Sequence, residues 1–194
     1  MSHPQSSRII EFHDGRQPAE AASELWRAIE DNHRNNCLLW DEEDLARRKN
    51  VPDAEIAKNK RAIDGYNQKR NDAIERIDEQ LFVLFFDGKD LKNKRMNSET
   101  AGGMTDRLSI LSLKIHHMRL QTLRTDVDRD HIETCSAKLA RLVEQRTDLA
   151  ACLDRLLEEC ARGESYFKVY RQFKIYNDPK LNPALYGEKG GAHR

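Results

Sequence analysis

The stretch His33 to Arg48, HRNNCLLWDEEDLARR, sets an imidazole, two amides, an indole, carboxylates and guanidiniums along one run of helical character. At 100° per residue, Leu25, Trp26, Ile29, Asn36, Cys37, Trp40, Glu43, Asp44 and Arg47 fall within about 80° of His33. The stripe is apolar before His33 and polar after it, where a bundle helix ordinarily presents leucine. The next helical run carries Lys60, Asn67, Arg70, Asn71 and Asp78 on its inward arc, with Asp64 at the margin. A third run adds a line of Arg107, Lys114, His117 and Gln121.

Two chemistries account for such a convergence. The first is a pocket for a small polar or anionic ligand. Trp40 would be its platform, and Asn36, Glu43, Arg47, Lys60, Asp64, Asn67, Arg70, Arg107 and Lys114 its ligand-binding contacts. His33, Asp44 and His117 are then the candidate acid–base groups, since clustered ionisable groups mark functional sites. The second is a structural ion-pair network that fixes helix register, pairing Asp44 with Lys60 and Asp64 with Arg47 or Arg70. The chain would then be a helical interaction protein, and a homodimer is one arrangement its long apolar stripes allow. Residue types alone leave open whether the chain is an enzyme.

Narrower chemistries fit less well. Glu30 to His33 is a Glu-x-x-His, the ligand pair used twice in di-iron bundles, but a second copy is missing. His116 and His117 diverge by about 100° on a helix, so they do not chelate one ion from a single face. Asp41-x-x-Asp44 and Glu75-x-x-Asp78 imitate the paired carboxylates of Mg²⁺-dependent all-α nucleotide pyrophosphohydrolases. Asp41 and Glu75 turn toward the margins of their stripes, however, and Mg²⁺ demands close oxygen ligands. No Gly-rich phosphate loop, triad spacing or nucleophile elbow is present. No cofactor and no metal ligand set is expected.

The elements that must position these groups are long helices. Pro18 suits a first turn, and helical spacing runs from Ala22 to about Arg48. Asn50, Val51 and Pro52 break it, a second helix runs from Asp53 to about Asp87, and Gly88 stops that one. The break folds the two into antiparallel neighbours, placing Glu43 and Asp44 near Lys60, and His33 and Asn36 near Asn67 to Asn71. A third helix, about Met104 to Arg124, is apolar on most sides and so central. A fourth, about Asp130 to Arg162, has a three–four apolar repeat that only Arg146 interrupts, and Gly163 ends it. The aromatic, basic segment after it predicts a strap whose Tyr and Phe residues dock on the bundle, with Pro179 and Pro183 forcing extended structure. The expected fold is therefore all-α, an antiparallel bundle of four long helices with a docked C-terminal strap. It forms one domain over residues 1–176, its first 17 or so loosely ordered, before an extended, partly disordered tail over 177–194.

Composition agrees with long amphipathic helices: 38% hydrophobic residues against 34% charged, with few aromatics. Basic and acidic residues number 33 each, so no broad electrostatic footprint for nucleic acid or an anionic membrane exists. Cys37, Cys135, Cys152 and Cys160 lack zinc-type spacing and suggest small buried apolar residues in a reducing compartment. The N-terminal residues do not form a signal peptide, and the apolar run LFVLFF is too short to span a bilayer. A cytoplasmic protein without membrane or nucleic-acid partners is the expectation.

Four ordered motifs carry a resemblance: HRNNCLLWDEEDLARR, KRAIDGYNQKRNDAIERID, TDRLSILSLKIHHM and YRQFKIYNDPKLNP. Together, over about Trp26 to Pro183, the chain resembles the bacterial family catalogued as domain of unknown function 4254. The resemblance implies a helical fold. It transfers no activity and no catalytic residues.

Overall fold

A computed structural model of the protein describes residues 5–16, 23–173, 175 and 178–188. The chain is all-α: the described residues form four long helices, two short ones and one tiny strand pair. The elements are α1 (Ser6–His13), α2 (Glu24–Leu45), α3 (Asp53–Phe86), β1 (Arg95–Met96), α4 (Ala101–Thr122), α5 (Arg129–Arg162), β2 (Ser165–Tyr166) and α6 (Pro183–Glu188). The long helices begin where local chemistry dictates. Ser23 accepts from the Trp26 amide, Thr100 from that of Gly103 and Asp128 from that of His131, each satisfying an amide that a helix start leaves unpaired. Helix α5 ends at Gly163, whose φ of 73° is the left-handed stop that glycine adopts without strain.

The contacts between helices fix their directions. Glu42 accepts from Asn59 and Asp31 from Arg76, so α2 and α3 run antiparallel. Trp40 stacks on His117 and His33 meets Ser109, so α4 runs parallel to α2. The groove between α4 and α5 has Gln121 with Lys138 toward one end and Met104 with Cys152 toward the other, which makes that pair antiparallel. Helix α4 touches α1, α2, α3 and α5, the central place its all-round apolar surface predicts. One buried apolar cluster draws Ile9 from α1, Ile29 from α2, Ile77 and Leu81 from α3, Leu108 from α4, Leu153 and Leu157 from α5, and Phe167.

Entry into α4 is tightly built. The Gly102 amide donates to Asp78 Oδ1 at 2.6 Å. A Cβ at Gly102 would stand 2.6 Å from the Ile74 carbonyl oxygen, so only glycine lets the two helices meet there. Apolar spacing predicts a start at Met104, but Gly102 and Gly103, expected in the loop, belong to the first turn of the helix.

Other expectations shift as well. Residues 6–13, expected to be loosely ordered, form α1: Ser6 bonds Asp154 through its amide and hydroxyl, and Ile9 is 1% exposed. The proposed start over Pro18 to Ala22 lies outside the described residues, as do 1–4 and 189–194, where part of the expected disorder falls. The strap docks through less of its length than its aromatics suggested. Phe167 is buried and Tyr166 half-buried, but Tyr170, Phe173 and Ile175 are exposed. Polar contacts hold this stretch instead, with Arg171 on Glu79 at 2.7 Å and the Gln172 amide on Glu75 at 3.0 Å. Pro183 opens α6 instead of extending the chain, because a first-turn proline loses no hydrogen bond. Among the cysteines, Cys135 and Cys160 are buried and Cys37 half-buried, while Cys152 is exposed, lining the α4–α5 groove. No helix among the described residues is long and apolar enough to cross a membrane.

Candidate functional site

The polar face of α2 divides into two regions. Its first half builds a paired layer against α4. Asp106 Oδ1 accepts from Asn32 at 2.8 Å and from Asn36 at 2.9 Å, and Asn36 also donates to Ser109 Oγ at 3.0 Å. Ser109 meets His33 Nδ1 at 2.8 Å. Asn36 takes one lone pair of that hydroxyl, which leaves its proton and a second lone pair for the contact with His33. Burial holds His33 below its ordinary 6.5, against the opposing pull of the Asp14 carboxylate. Ser109 is fully buried, so this Ser–His pair offers no nucleophile to a substrate. Arg146 crosses from α5 to Ser112 at 3.1 Å and to Asp14 at 2.7 Å. Arg70 Nε pairs with Asp106 by charge at 3.9 Å, too far for a hydrogen bond, and has no hydrogen-bond partner among the described residues.

The second half opens. Trp40 and His117 stack face to face across α2 and α4, ring centroids 4.3 Å apart and planes 11° from parallel. A cleft of about 600 Å³ lies against them, between α2, α4 and α5. Met118 and Leu142 continue its apolar floor, and Lys114, Lys138 and Arg141 bring three cations to its walls. Arg141 is 3.7 Å from Glu144. A second cleft, about 470 Å³, lies between α2, α3 and α4. Asn36, Trp40, Glu43, Asp44, Arg47 and Arg70 line it, and Trp40 and Asp44 belong to both clefts. The Trp40 indole N–H is buried without a hydrogen-bond partner among the described residues.

The sequence profile of the family described as "Protein of unknown function (DUF4254)" matches residues 26–169. The chain belongs to this family. No curated protein and no solved structure matches it. The family's span covers both clefts and the paired layer. Helix α1, with the Asp14 that follows it, lies outside it.

Within that family domain, the candidate residues separate by place. Asn36, Trp40, Glu43, Asp44, Arg47, Arg70, Lys114 and His117 come together around the two clefts. His33 belongs to the paired layer. Arg107 is exposed and ion-paired with Glu99, on the outer α4–α5 groove. Lys60 reaches Glu43 Oε2 at 3.4 Å, and Arg47 bonds the same oxygen at 2.7 Å. These contacts, the Arg47 bond foremost, hold the Glu43 carboxyl below the usual range. Lys60 therefore pairs one position away from Asp44, and Asp64 is exposed while Asn67 is half-buried. Glu75 binds the strap and Asp78 caps α4, so the second carboxylate pair of the nucleotide-hydrolase pattern is engaged elsewhere. Burial pushes Asp78 up to about 6, against the Thr100 and Gly102 hydrogen bonds. Among the described residues, no three of His, Cys, Asp and Glu gather as a metal site.

Asp106, Ser109, Ser112, His13 and Asp14 carry no clear signal in the sequence. The first three recur at intervals of three, a polar line on α4 that the surrounding leucines mask. Arg146 was visible as the interruption of an otherwise apolar repeat.

Proposed function

We propose that this protein binds a small anionic ligand with a flat apolar part, in the cleft between α2, α4 and α5. The observation that carries the reading is the Trp40–His117 stack beside Lys114, Lys138 and Arg141. A stacked indole and imidazole offer a flat face, and cations at its edge select a carboxylate or phosphate. The bundle of four long helices would serve as the frame: α2 and α4 supply the rings, and α5 supplies two of the cations. His117 is the acid–base candidate of this cleft, should the ligand also be turned over.

A second reading has its own observation. The paired Asn32–Asn36–Asp106–Ser109 layer supports a register-fixing network for the first half of α2. The two readings apply to different halves of the helix and do not compete.

Titration of the full chain with phenyl phosphate, benzoate and benzylamine, followed by NMR of the Trp40 indole and the His117 ring, tests the ligand reading. The two anions should shift both signals at millimolar concentration, benzylamine should not, and K138E with R141E should abolish the response. Silence toward all three probes, or an equal response to benzylamine, would sink it.

A further inference from the structure

Helix α1 reaches the bundle through an arrangement that the ligand cleft does not use. The His13 ring lies on the His33 ring of α2, centroids 4.5 Å apart and planes 24° from parallel. His13 is 7% exposed, and neither ring nitrogen has a hydrogen-bond partner among the described residues. Phe12 closes the edge of His33 and also meets Trp26. The groups facing the two rings come from four elements. Asp14 follows His13 at the end of α1, Cys37 lies 3.8 Å from His33 Nε2 on α2, Ser109 comes from α4, and Arg146, bonded to Ser112, comes from α5. Arg146 and Asp14 already neutralise one another at 2.7 Å. Asp14, which also meets Arg16 at 3.0 Å, is shared between two guanidiniums, so it only partly offsets the charge that a proton on either imidazole adds.

We propose that α1 is an acid-released clasp: stacked, neutral His13 and His33 hold it against α2, α4 and α5, and protonation of the pair lets it go. Release would uncover the apolar ground under Ile9 and the Ser109 end of the paired layer. A proton on His33 also leaves Nδ1 able only to donate, so the Ser109 hydroxyl, which already accepts from Asn36, would have to accept there too.

The direction of the effect follows from the shifts. Burial, then His33, then Arg146 hold His13 well below 6.5, and burial holds His33 below the same value. Groups with depressed imidazole values bind fewer protons when docked than when free. Docking is therefore strongest above about pH 6.5 and weakens as pH falls below it toward the depressed values.

Hydrogen exchange on the full chain tests the clasp, with rates corrected for the intrinsic pH dependence. Protection of the α1 amides should fall roughly tenfold or more between about pH 7.5 and about pH 5, while the Leu149–Leu157 stretch of α5 stays protected. His13→Phe keeps a ring in the stack and removes its proton, so most of that fall should vanish. Unchanged α1 protection across the range, or a full-sized fall in His13→Phe, overturns the proposal. Should His13→Phe not hold α1 at all, Trp40→Phe leaves Trp26, beside Phe12, as the one indole. Its emission should shift red over the same pH range, and an emission independent of pH would equally overturn the clasp.

Discussion

Asn32 and Asn36 lie on the same helix as Trp40, Glu43 and Asp44, yet the two groups meet opposite fates. The first find short partners directly across on α4 and close into a layer in which each amide has an acceptor. The second face a stacked ring pair and long cations, and clefts remain on either side. The same change occurs on α4, from Asp106, Ser109 and Ser112 to Lys114, His117 and Gln121. What decides is reach. Facing Asn, Ser and Asp side chains satisfy one another only when two helices approach closely, whereas rings and four-carbon stems hold neighbours apart and carry their polar ends outward. Polarity on an inward stripe therefore does not by itself indicate a site; polarity combined with bulk does.

The strongest way to break this contrast is to remove Asp106. Its Oδ1 serves both asparagines and lies 3.9 Å from Arg70 Nε, so Asp106→Ala strands the buried Asn32 amide, takes one of the acceptors of Asn36 and removes the charge facing Arg70. A loss of about 2–4 kcal/mol in denaturant unfolding is expected. A loss below about 0.5 kcal/mol would show that the layer is no more structural than the cleft.

Asp78 sharpens the same contrast through pH. Its folded value, about 6, exceeds the ordinary 3.8 of a free aspartate. The folded state therefore binds the extra proton, so this contribution to stability is full below about pH 4 and lost as pH rises to about 6. Relative to Asp78→Asn, the wild type should lose on the order of 2 kcal/mol between about pH 4 and about pH 7. A constant difference between the two proteins across that range would contradict a buried carboxylate at the head of α4.

The sequence made some of this visible and hid the rest for physical reasons. Both 34-residue helices announce their ends, through Pro52 and Gly88 for α3 and Gly163 for α5, because breakers and left-handed stops are local signals. Helix α1 is only eight residues long, and its order comes from Asp154, His33 and Arg146, contacts far away in the chain. The β1–β2 pair joins Arg95 to Ser165 and Met96 to Tyr166, equally beyond any local pattern. Within the site, Trp40 and His117 are individually legible, Trp40 on the inward stripe of its helix and His117 in the polar line of the third predicted helix. Their stacking is not, because it needs the parallel offset of α2 and α4. The pairing of Lys60 with Glu43 instead of Asp44 is the same problem at one-residue scale. Neighbouring positions differ by about 100° around a helix, more than the accuracy with which two unseen helices can be oriented.

His117→Ala should divide stability from binding. Losing one ring of the stack removes about 1 kcal/mol of aromatic contact, measurable as a modest fall in unfolding midpoint. The response of Trp40 to phenyl phosphate should weaken far more than that, since the platform itself is halved. Equal responses in the variant and the wild type would place the ligand away from the rings.

The smallest expected effect is also the most discriminating. Lys60 was a member of the predicted cluster, but its ammonium is more than half exposed and shares Glu43 with Arg47. Lys60→Met removes a solvent-screened pair and leaves the carboxylate its better partner, so stability should change by less than about 0.5 kcal/mol. Lys138→Glu, on the wall of the open cleft, should be similarly mild for folding while reversing a charge that faces the ligand. If Lys60→Met were to cost several kcal/mol, the second half of α2 would be a buried network like the first. The contrast between a closed layer and an open cleft would then fail at its least protected point.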